Sequence, residues 1–495
     1  MRTSKRIAGN SPPYGRIWTI FFLYSAIVAV FIQLVALRYW VPENWEVVQG
    51  LLIPDSQTYH KQAQDMAQRI KAEGWSMWQL RPKGEAPVGI TAVVYTFCGS
   101  RPWMLIPLNA LLHATSGLLI LLSLQFLLLN WRYALLCSLP FLLFPTPITW
   151  YAQIHKDGWS IAGMAMILYG TLSLIAGESR ADKPYVFWWS YPLMIVGIFF
   201  IYLARPYLMP IYQVVLAVVL LLYLVVCLRR FGRKNYFVRF TVVFCGIGGA
   251  ILLMSLLESD WITKIYSEAI ASAAHNPKFD NRIIADVPAV KNRGVGHGSP
   301  PGVQSIFAEK MVAAKPGLDK FKWHDASWLP KWLNHKLRRL SLTRTRWIIS
   351  YSDAASSIDQ EVFFASPQDM INYLPRAAQI AFLAPFPSFW LGKGSLPENT
   401  LMRRVVAFET AFVYLALSGI VLAFFYWWKR LELWCILVFC CLPMLVYAMA
   451  VINIGSLYRM RYGFLTVLVA LGCAGTLKFL GDRGIWYAKK KTGQS

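Results

Sequence analysis

Long apolar runs constrain the fold of this 495-residue chain more than any other feature. A helix needs about 20 apolar residues to cross the hydrocarbon core of a bilayer, and about ten segments approach that length. Hydrophobic residues make up 56% of the chain and its mean hydropathy is +0.43, which is more apolar than a soluble domain. The sequence therefore predicts an all-α integral membrane protein with about ten transmembrane helices.

The net charge of +24 comes from 49 Lys and Arg against 25 Asp and Glu. Basic loops fix the orientation of helical membrane proteins, and they attract anionic lipid phosphates. Because the sequence has no separate basic soluble domain, membrane lipids are expected as partners and nucleic acid is not. The 8 cysteines lie in or beside apolar runs, so neither a disulfide framework nor a zinc site is predicted.

The basic residues that flank the apolar runs predict the orientation of the chain. The first run extends from Ile17 to about Trp40 without a cleavage signal, which indicates an uncleaved span. Both termini are expected in the cytoplasm. The predicted parts are an N-terminal membrane module at 1–257 with a first outward loop at 41–102, a long outward loop at 258–402, and C-terminal membrane helices with a basic cytoplasmic tail at 403–495.

Two helices are predicted in the first outward loop. Apolar residues recur at helical spacing from Ala63 to Ile70, which indicates a helix on the membrane surface. The apolar stretch from Pro87 to Cys98 is too short to cross and predicts a second interfacial helix. In the long loop, Gly294 to Gly302 is predicted to be mobile, and an arginine-rich helix follows. The run from Tyr133 to about Ile148 is predicted to be one continuous span.

Asp55 lies in the first outward loop, within Ile53-Pro54-Asp55-Ser56-Gln57-Thr58-Tyr59-His60. An Asp that follows Pro and precedes a helical stretch is a good N-cap. A carboxylate fixed at a helix start beside the membrane is also well placed to act as a general base. Both interpretations are open, and Tyr59 and His60 are candidate substrate-binding residues beside it.

His155, Lys156 and Asp157 lie between two apolar runs with almost no polar spacer. One interpretation is a solvated turn in which Asp157 caps the following helix. The other is that Asp157 or His155 faces Asp55 across an outward cavity, with Asp157 as a second catalytic candidate and His155 and Lys156 binding substrate. A divalent metal is an open option, since His60, His155 and these carboxylates could meet, but no metal-binding motif supports it.

Arg205, Arg459 and Arg461 are expected in short outward loops, which normally contain few Lys and Arg. A charged side chain at bilayer depth is costly, about 2.5–3.5 kcal/mol for Arg at a helix centre. A bound phosphate would compensate for this cost, because a guanidinium can bond to it bidentately. Snorkelling to lipid headgroup phosphates is the alternative.

Three further polar residues are expected inside spans. Glu409 follows Arg403 and Arg404 along its span, which predicts a local ion pair. Asn109 and His113 share one face of a helix and are expected to form hydrogen bonds between helices.

The order of segments carries a resemblance to a known family. An outward loop with an early Asp55 precedes an amphipathic helix, a short apolar helix that ends in Gly99-Ser100, a span that opens with Pro107-Leu108-Asn109-Ala110, and a third run with Phe144-Pro145 before Lys156-Asp157. This order resembles the GT-C superfamily of polytopic membrane glycosyltransferases, which includes protein mannosyltransferases and lipid A aminoarabinose transferases. The resemblance covers roughly the first third of the chain and, beyond it, the topology. Ser56 stands where protein mannosyltransferases have Glu.

The resemblance implies that the protein moves a sugar from a polyprenyl-phosphate donor to an acceptor on the extracytoplasmic face, with inversion. Asp55 would be the base, and Arg459, Arg461 and Arg205 would hold the departing lipid phosphate. The acceptor would be a lipid-linked glycan, a lipid or a protein. No cofactor is certain, and the bacterial inner membrane is the expected location.

Two other functions are open. An O-antigen-type polymerase or ligase also joins lipid-linked sugars outside the membrane, with outward arginines and a long late loop, and both features are present. A lipid or polysaccharide flippase would be expected to have internal repeats or charges deep in its spans. No repeat is evident in the sequence, and the charges cluster at one face, which ranks this function third.

Overall fold

The computed structural model describes residues 12–40, 49–51, 54–128, 130–176, 184–229, 240–258, 323–350, 356–392 and 397–483. These residues form a succession of helices. In chain order they are α1 (Tyr14–Val30), α2 (Leu37–Trp40), α3 (Pro54–Glu73), α4 (Ala86–Cys98), α5 (Ile106–Leu124), α6 (Trp131–Leu143), α7 (Pro145–Tyr151), α8 (Asp157–Ile175), α9 (Pro184–Ala204), α10 (Met209–Arg229), α11 (Phe240–Glu258), α12 (Lys331–Ser350), α13 (Pro367–Leu383), α14 (Pro387–Trp390), α15 (Pro397–Trp427), α16 (Leu431–Ala450) and α17 (Ile454–Asp482).

The described helices include 8 that are long and apolar enough to cross a membrane. A ninth span results if α6 and α7 are counted together, and the apolar part of α9, Trp189–Ala204, is shorter. These segments coincide with the apolar runs of the sequence. The predicted all-α, multi-pass membrane architecture is therefore confirmed.

The third apolar run is not the continuous span expected from Tyr133 to Ile148. α6 and α7 are bent by 65° relative to each other. Phe144, at the break, has an extended backbone with φ −62° and ψ 124°, because the ring of the following Pro145 disfavours the helical conformation at the preceding residue. α7 then leads directly into the segment that contains Asp157.

The two helices predicted in the first outward loop are present as α3 and α4. Ser56 on α3 donates a hydrogen bond to the carbonyl oxygen of Ile154 at 2.9 Å, and Gln153 donates to that of Gly50 at 2.9 Å. These bonds hold the start of α3 against the segment ahead of α8. The apolar face between the two helices is formed by Tyr59, Ala63, Ala67, Ile70, Val88, Ala92 and Tyr95.

The described part of the long loop at 258–402 is anchored to the C-terminal spans. Arg344 on α12 is buried and donates to the carbonyl oxygens of Val362 at 2.8 Å, Asp359 at 2.9 Å and Met449 at 3.0 Å. The predicted arginine-rich helix is thus confirmed as α12. The stretch from Gly294 to Gly302, predicted to be mobile, lies outside the described residues.

The last helix begins earlier than the sequence suggests. α17 starts at Ile454, and the side chain of its N-cap Asn453 accepts a hydrogen bond from the Ser456 N–H at 2.9 Å. Arg459 and Arg461 therefore lie in the first turns of α17 rather than in a loop ahead of it. Two residues apart on a helix, their side chains point to nearly opposite sides.

α17 is also fixed laterally by its close approach to α15. A Cβ atom added to Gly472 would lie 1.9 Å from the carbonyl oxygen of Ala416, so a larger residue cannot replace this glycine without moving a helix. This contact, together with the anchored start of α17, gives Arg459 a defined position.

Candidate active site

Asp55 and Arg459 form an accessible ion pair. Asp55 lies in the first turn of α3, one residue after its start at Pro54, rather than at an N-cap. The Nη2 atom of Arg459 lies 3.2 Å from Oδ2 of Asp55, and the side chains are 19% and 53% exposed, respectively. A carboxylate that solvent or substrate can reach is therefore in direct contact with a guanidinium that is also partly open.

Asp157 lies buried behind this pair. Its Oδ1 is in close contact with Nη2 of Arg205, and its Oδ2 lies 3.0 Å from Nδ1 of His155 and 3.4 Å from Nε of Arg459. Lys156 is the N-cap of α8, and no side-chain capping bond forms there. The Asp157 carboxylate thus forms ion pairs with Arg205 and Arg459 instead of capping α8.

Arg205 is the buried counter-charge of Asp157. It lies between α9 and α10 and also donates to the hydroxyl of Tyr447 at 3.5 Å. Burial alone would lower the pKa of Arg205. The Asp157 carboxylate, together with smaller contributions from Tyr207 and Tyr447, more than offsets burial and raises the pKa well above its usual value. The arrangement keeps both groups ionised, so Asp157 presents a permanent negative charge to Arg459.

Glu85 adds a second accessible carboxylate that sequence reasoning missed. Its Oε2 lies 2.5 Å from Nζ of Lys156 and accepts a hydrogen bond from the hydroxyl of Tyr59 at 3.2 Å. The Glu85 and Lys156 side chains are 30% and 28% exposed. The residue precedes α4 in the position of an N-cap but makes no capping bond. A lone acid in the basic stretch Arg81-Pro82-Lys83-Gly84-Glu85 was the available signal.

Tyr59 and His60 have different surroundings. Burial and the adjacent Glu85 carboxylate raise the pKa of Tyr59, so its hydroxyl stays protonated and donates. His60 is buried, and its Nδ1 lies 2.7 Å from the hydroxyl of Tyr95. Burial, with a smaller contribution from Lys61, lowers the pKa of His60. Tyr59 thus borders the site, whereas His60 joins α3 to α4.

Arg461 does not join the other arginines. Its side chain is buried, and Nη1 donates to the carbonyl oxygens of Ile380, at 2.7 Å, and Ala381, in close contact. These carbonyls belong to the last turn of α13. The Ile380 oxygen also accepts from the Ala384 N–H at 3.3 Å, whereas Pro385 has no N–H to offer Ala381. Arg461 therefore caps α13, and of the two arginines on α17 the structure brings Arg459 alone to Asp55.

Three polar residues were predicted inside the spans, and for two of them the predicted contacts are present. Asn109 donates to the carbonyl oxygens of Tyr151 and Gln153 at 2.8 and 2.9 Å, and His113 lies 3.0 Å from Ser25, so the predicted bonds between helices are present. Glu409 does not form the local ion pair that was expected. Its two oxygens accept hydrogen bonds from groups on α7 and α17.

The site combines opposite charges in equal number. Its carboxylates are Asp55, Glu85 and Asp157, and its cations are Lys156, Arg205 and Arg459. These charges balance one another, and an anionic ligand would compete with the carboxylates for the cations. Asp55 is the most exposed of these six side chains and so the carboxylate that a ligand displaces most readily. Among the described residues no three His, Cys, Asp or Glu side chains converge as a metal site.

One solved structure matches this chain. It is the crystal structure of ArnT from Cupriavidus metallidurans in the apo state, and the match covers 95% of this chain and 80% of that chain at 16% sequence identity and a TM-score of 0.30. At that similarity no residue role passes from one protein to the other. Neither a family model nor a curated protein sequence matches this chain.

Proposed function

We propose that this protein is a membrane glycosyltransferase that moves a sugar from a polyprenyl-phosphate donor to a hydroxyl acceptor, with inversion at the anomeric carbon. One observation carries the proposal. The half-exposed carboxylate of Asp55 contacts Arg459, and Arg459 forms a second ion pair with the buried Asp157. A base and an anion-binding cation are thus adjacent, which is what displacement of a lipid phosphate by an alcohol requires.

In the proposed reaction Asp55 accepts the proton of the acceptor hydroxyl. The freed oxygen forms a bond to the anomeric carbon while the bond from that carbon to the phosphate oxygen breaks. The electron pair leaves with the polyprenyl phosphate, and Arg459 stabilises the additional negative charge on it. A positioned base of this kind contributes about 10²–10⁴-fold to the rate.

Binding of the donor also prepares the base. Arg459 is paired with Asp55 at 3.2 Å. A donor phosphate competes for the same guanidinium, and Asp157 keeps Arg459 in place while Asp55 is released. Asp55 then faces the acceptor without its counter-charge, so the base becomes available when the donor is bound.

The remaining charged residues have supporting roles in this proposal. Arg205 neutralises Asp157 so that the carboxylate can remain buried without protonation. Lys156, Glu85 and Tyr59 form the adjacent wall, where polar groups can hydrogen-bond to a sugar. The flanking basic loops support an extracytoplasmic position for the site. The proposal places the protein in a bacterial inner membrane.

The test uses the purified protein in lipid nanodiscs, with undecaprenyl phosphate and the uncharged undecaprenol as probes. We expect binding of the phosphate and at least about tenfold weaker binding of the alcohol, because the phosphate supplies the charge that Arg459 recognises. Transfer is then assayed with a panel of undecaprenyl-phosphate hexoses and pentoses. Equal binding of the two probes would contradict the proposal.

A further inference from the structure

A buried carboxylate lies inside α15, outside the set of charges described above. Glu409 is 1% exposed. Its Oε1 accepts a hydrogen bond from the backbone N–H of Thr146 at 2.7 Å, and its Oε2 accepts from the hydroxyl of Tyr458 at 2.7 Å. Ionisable residues within membrane spans are expensive, and they commonly mark a functional contact.

The two donors belong to two helices that each lead to a charged residue of the site. Thr146 lies in the first turn of α7, which leads through residues 152–156 to Asp157 at the start of α8. Tyr458 directly precedes Arg459 on α17. Glu409 therefore bridges the segment that ends in Asp157 and the helix that carries Arg459.

The break before α7 creates the need for such a bridge. The first N–H groups of a helix have no partner within it, and inside a bilayer no solvent replaces that partner. Pro145 has no N–H, so Thr146 presents the first donor of α7. Glu409 satisfies this N–H from another span, because its Oε1 accepts the hydrogen bond at 2.7 Å.

We infer that Glu409 is a positioning residue that keeps Asp157 in register with Arg459. It touches neither substrate nor reacting atoms and acts through Thr146 and Tyr458. The inference rests on the proposed function, in which Asp157 orients Arg459 for the donor phosphate. The relative position of these two residues then affects how well the phosphate binds. A residue that merely stabilises the fold would affect stability without changing how well the folded protein binds phosphate.

Three variants and one control separate these roles. Glu409→Leu removes both acceptors, and Glu409→Gln keeps an oxygen for Thr146 and an amide that can donate to Tyr458. Tyr458→Phe removes the second bond alone. Glu432→Gln is the control, since Glu432 is also buried but pairs with Arg430 at 2.8 Å, away from the site.

Hydrogen–deuterium exchange of the nanodisc-embedded protein is the first measurement. In Glu409→Leu we expect the peptide covering residues 144–157 to exchange at least about tenfold faster, because the Thr146 amide has lost its acceptor. Tyr458→Phe and the control should leave this peptide unchanged. Unchanged exchange in Glu409→Leu would overturn the inference whatever the protein transfers.

Binding of undecaprenyl phosphate by the folded fraction is the second measurement. Charge-assisted hydrogen bonds depend on the alignment of the guanidinium with the phosphate, so we expect affinity to fall about 10–100-fold in Glu409→Leu, less in Tyr458→Phe, and not in Glu432→Gln. Glu409→Gln should recover most of the affinity. Faster exchange with wild-type affinity would reduce Glu409 to a structural role and overturn the inference. Failure of the wild type to bind the probe would instead refute the proposed function, and the exchange data would still decide whether Glu409 couples the two segments.

Discussion

The guanidinium of Arg459 contacts the carboxylate of Asp55 at 3.2 Å, although 404 positions separate the two residues. The helix α3, near the start of the chain, and α17, the last of the described helices, thus meet at one site. An exposed ion pair of this kind contributes only about 0–1 kcal/mol to stability. The contact is therefore weak enough for a ligand phosphate to displace, which is consistent with a role in binding rather than in folding.

The two arginines of α17 should respond differently to the same substitution. Arg459→Ala should leave the fold intact and weaken undecaprenyl phosphate binding at least about tenfold, whereas Arg459→Lys should recover part of it because charge is kept and the bidentate fork is lost. Arg461→Ala should instead lower the thermal unfolding temperature, because the last turn of α13 loses its buried donor. Equal effects of the two alanine variants on binding would contradict this division of roles.

The buried Asp157–Arg205 pair should be the most sensitive point of the site in unfolding measurements. Asp157→Asn leaves the Arg205 charge buried without a counter-charge, which should cost about 3–5 kcal/mol. Adding Arg205→Met to Asp157→Asn should restore stability, because the uncompensated charge is gone, while donor binding stays impaired. A fully stable Asp157→Asn single variant would show that Arg205 has another counter-charge.

Much of the site could be predicted because charged residues at the ends of apolar runs require partners. That argument selects Asp55, Asp157, Arg205 and Arg459, all of which the structure brings together. The same argument cannot separate Arg459 from Arg461. Their side chains point to opposite sides because both residues lie on α17, and the sequence suggested that this helix starts after them.

Two other features, the contact of Glu85 and the bend before α7, were not predicted from the sequence. Glu85 is one acid among polar loop residues, and its contact with Lys156 depends on how α3, α4 and α8 pack. The bend between α6 and α7 was encoded by Pro145, yet the apolar composition continues across it and suggested one span. Long-range packing decides the contact of Glu85, whereas the bend is a local effect of Pro145 that the apolar composition conceals.

The late loop should contribute a pH-dependent part of the stability through Asp359. Burial alone would raise the pKa of Asp359, but hydrogen bonds from Arg376 and Tyr373 outweigh it and lower the pKa. The lowered pKa means that the folded state binds a proton less readily than the unfolded state, so the stabilisation is present at neutral pH and lost as the pH falls through the acidic range.

Asp359→Asn tests this directly. Asp359 has a φ of +51°, a conformation that Asn also tolerates, so the substitution removes the charge with little backbone strain. We expect the variant to lose about 1.5–3 kcal/mol at neutral pH, the range for hydrogen bonds to charged groups. The difference from the wild type should shrink towards acidic pH in unfolding titrations. A constant difference across that range would contradict the charge-based account.

The proposed orientation predicts which surface residues react from outside. The background variant has its exposed native cysteines, Cys98 and Cys245, changed to serine. In this background, Lys61→Cys and Gly455→Cys should each react with a membrane-impermeant maleimide in intact cells. A cysteine at Lys429, in the turn between α15 and α16, should react only after permeabilisation. The opposite pattern would place the site on the cytoplasmic face.

The most direct test of the central claim compares Asp55→Asn with Asp65→Asn, an exposed control on the same helix. Asn cannot accept the acceptor proton, so transfer by Asp55→Asn should fall about 10²–10⁴-fold while Asp65→Asn keeps the wild-type rate. Because Asn no longer competes for Arg459, the affinity of Asp55→Asn for undecaprenyl phosphate should equal or exceed that of the wild type. Measuring transfer and binding on the same preparations tests both halves of the account. A nearly inactive variant that binds the lipid phosphate at least as tightly is the predicted result, and wild-type transfer by purified Asp55→Asn would contradict it.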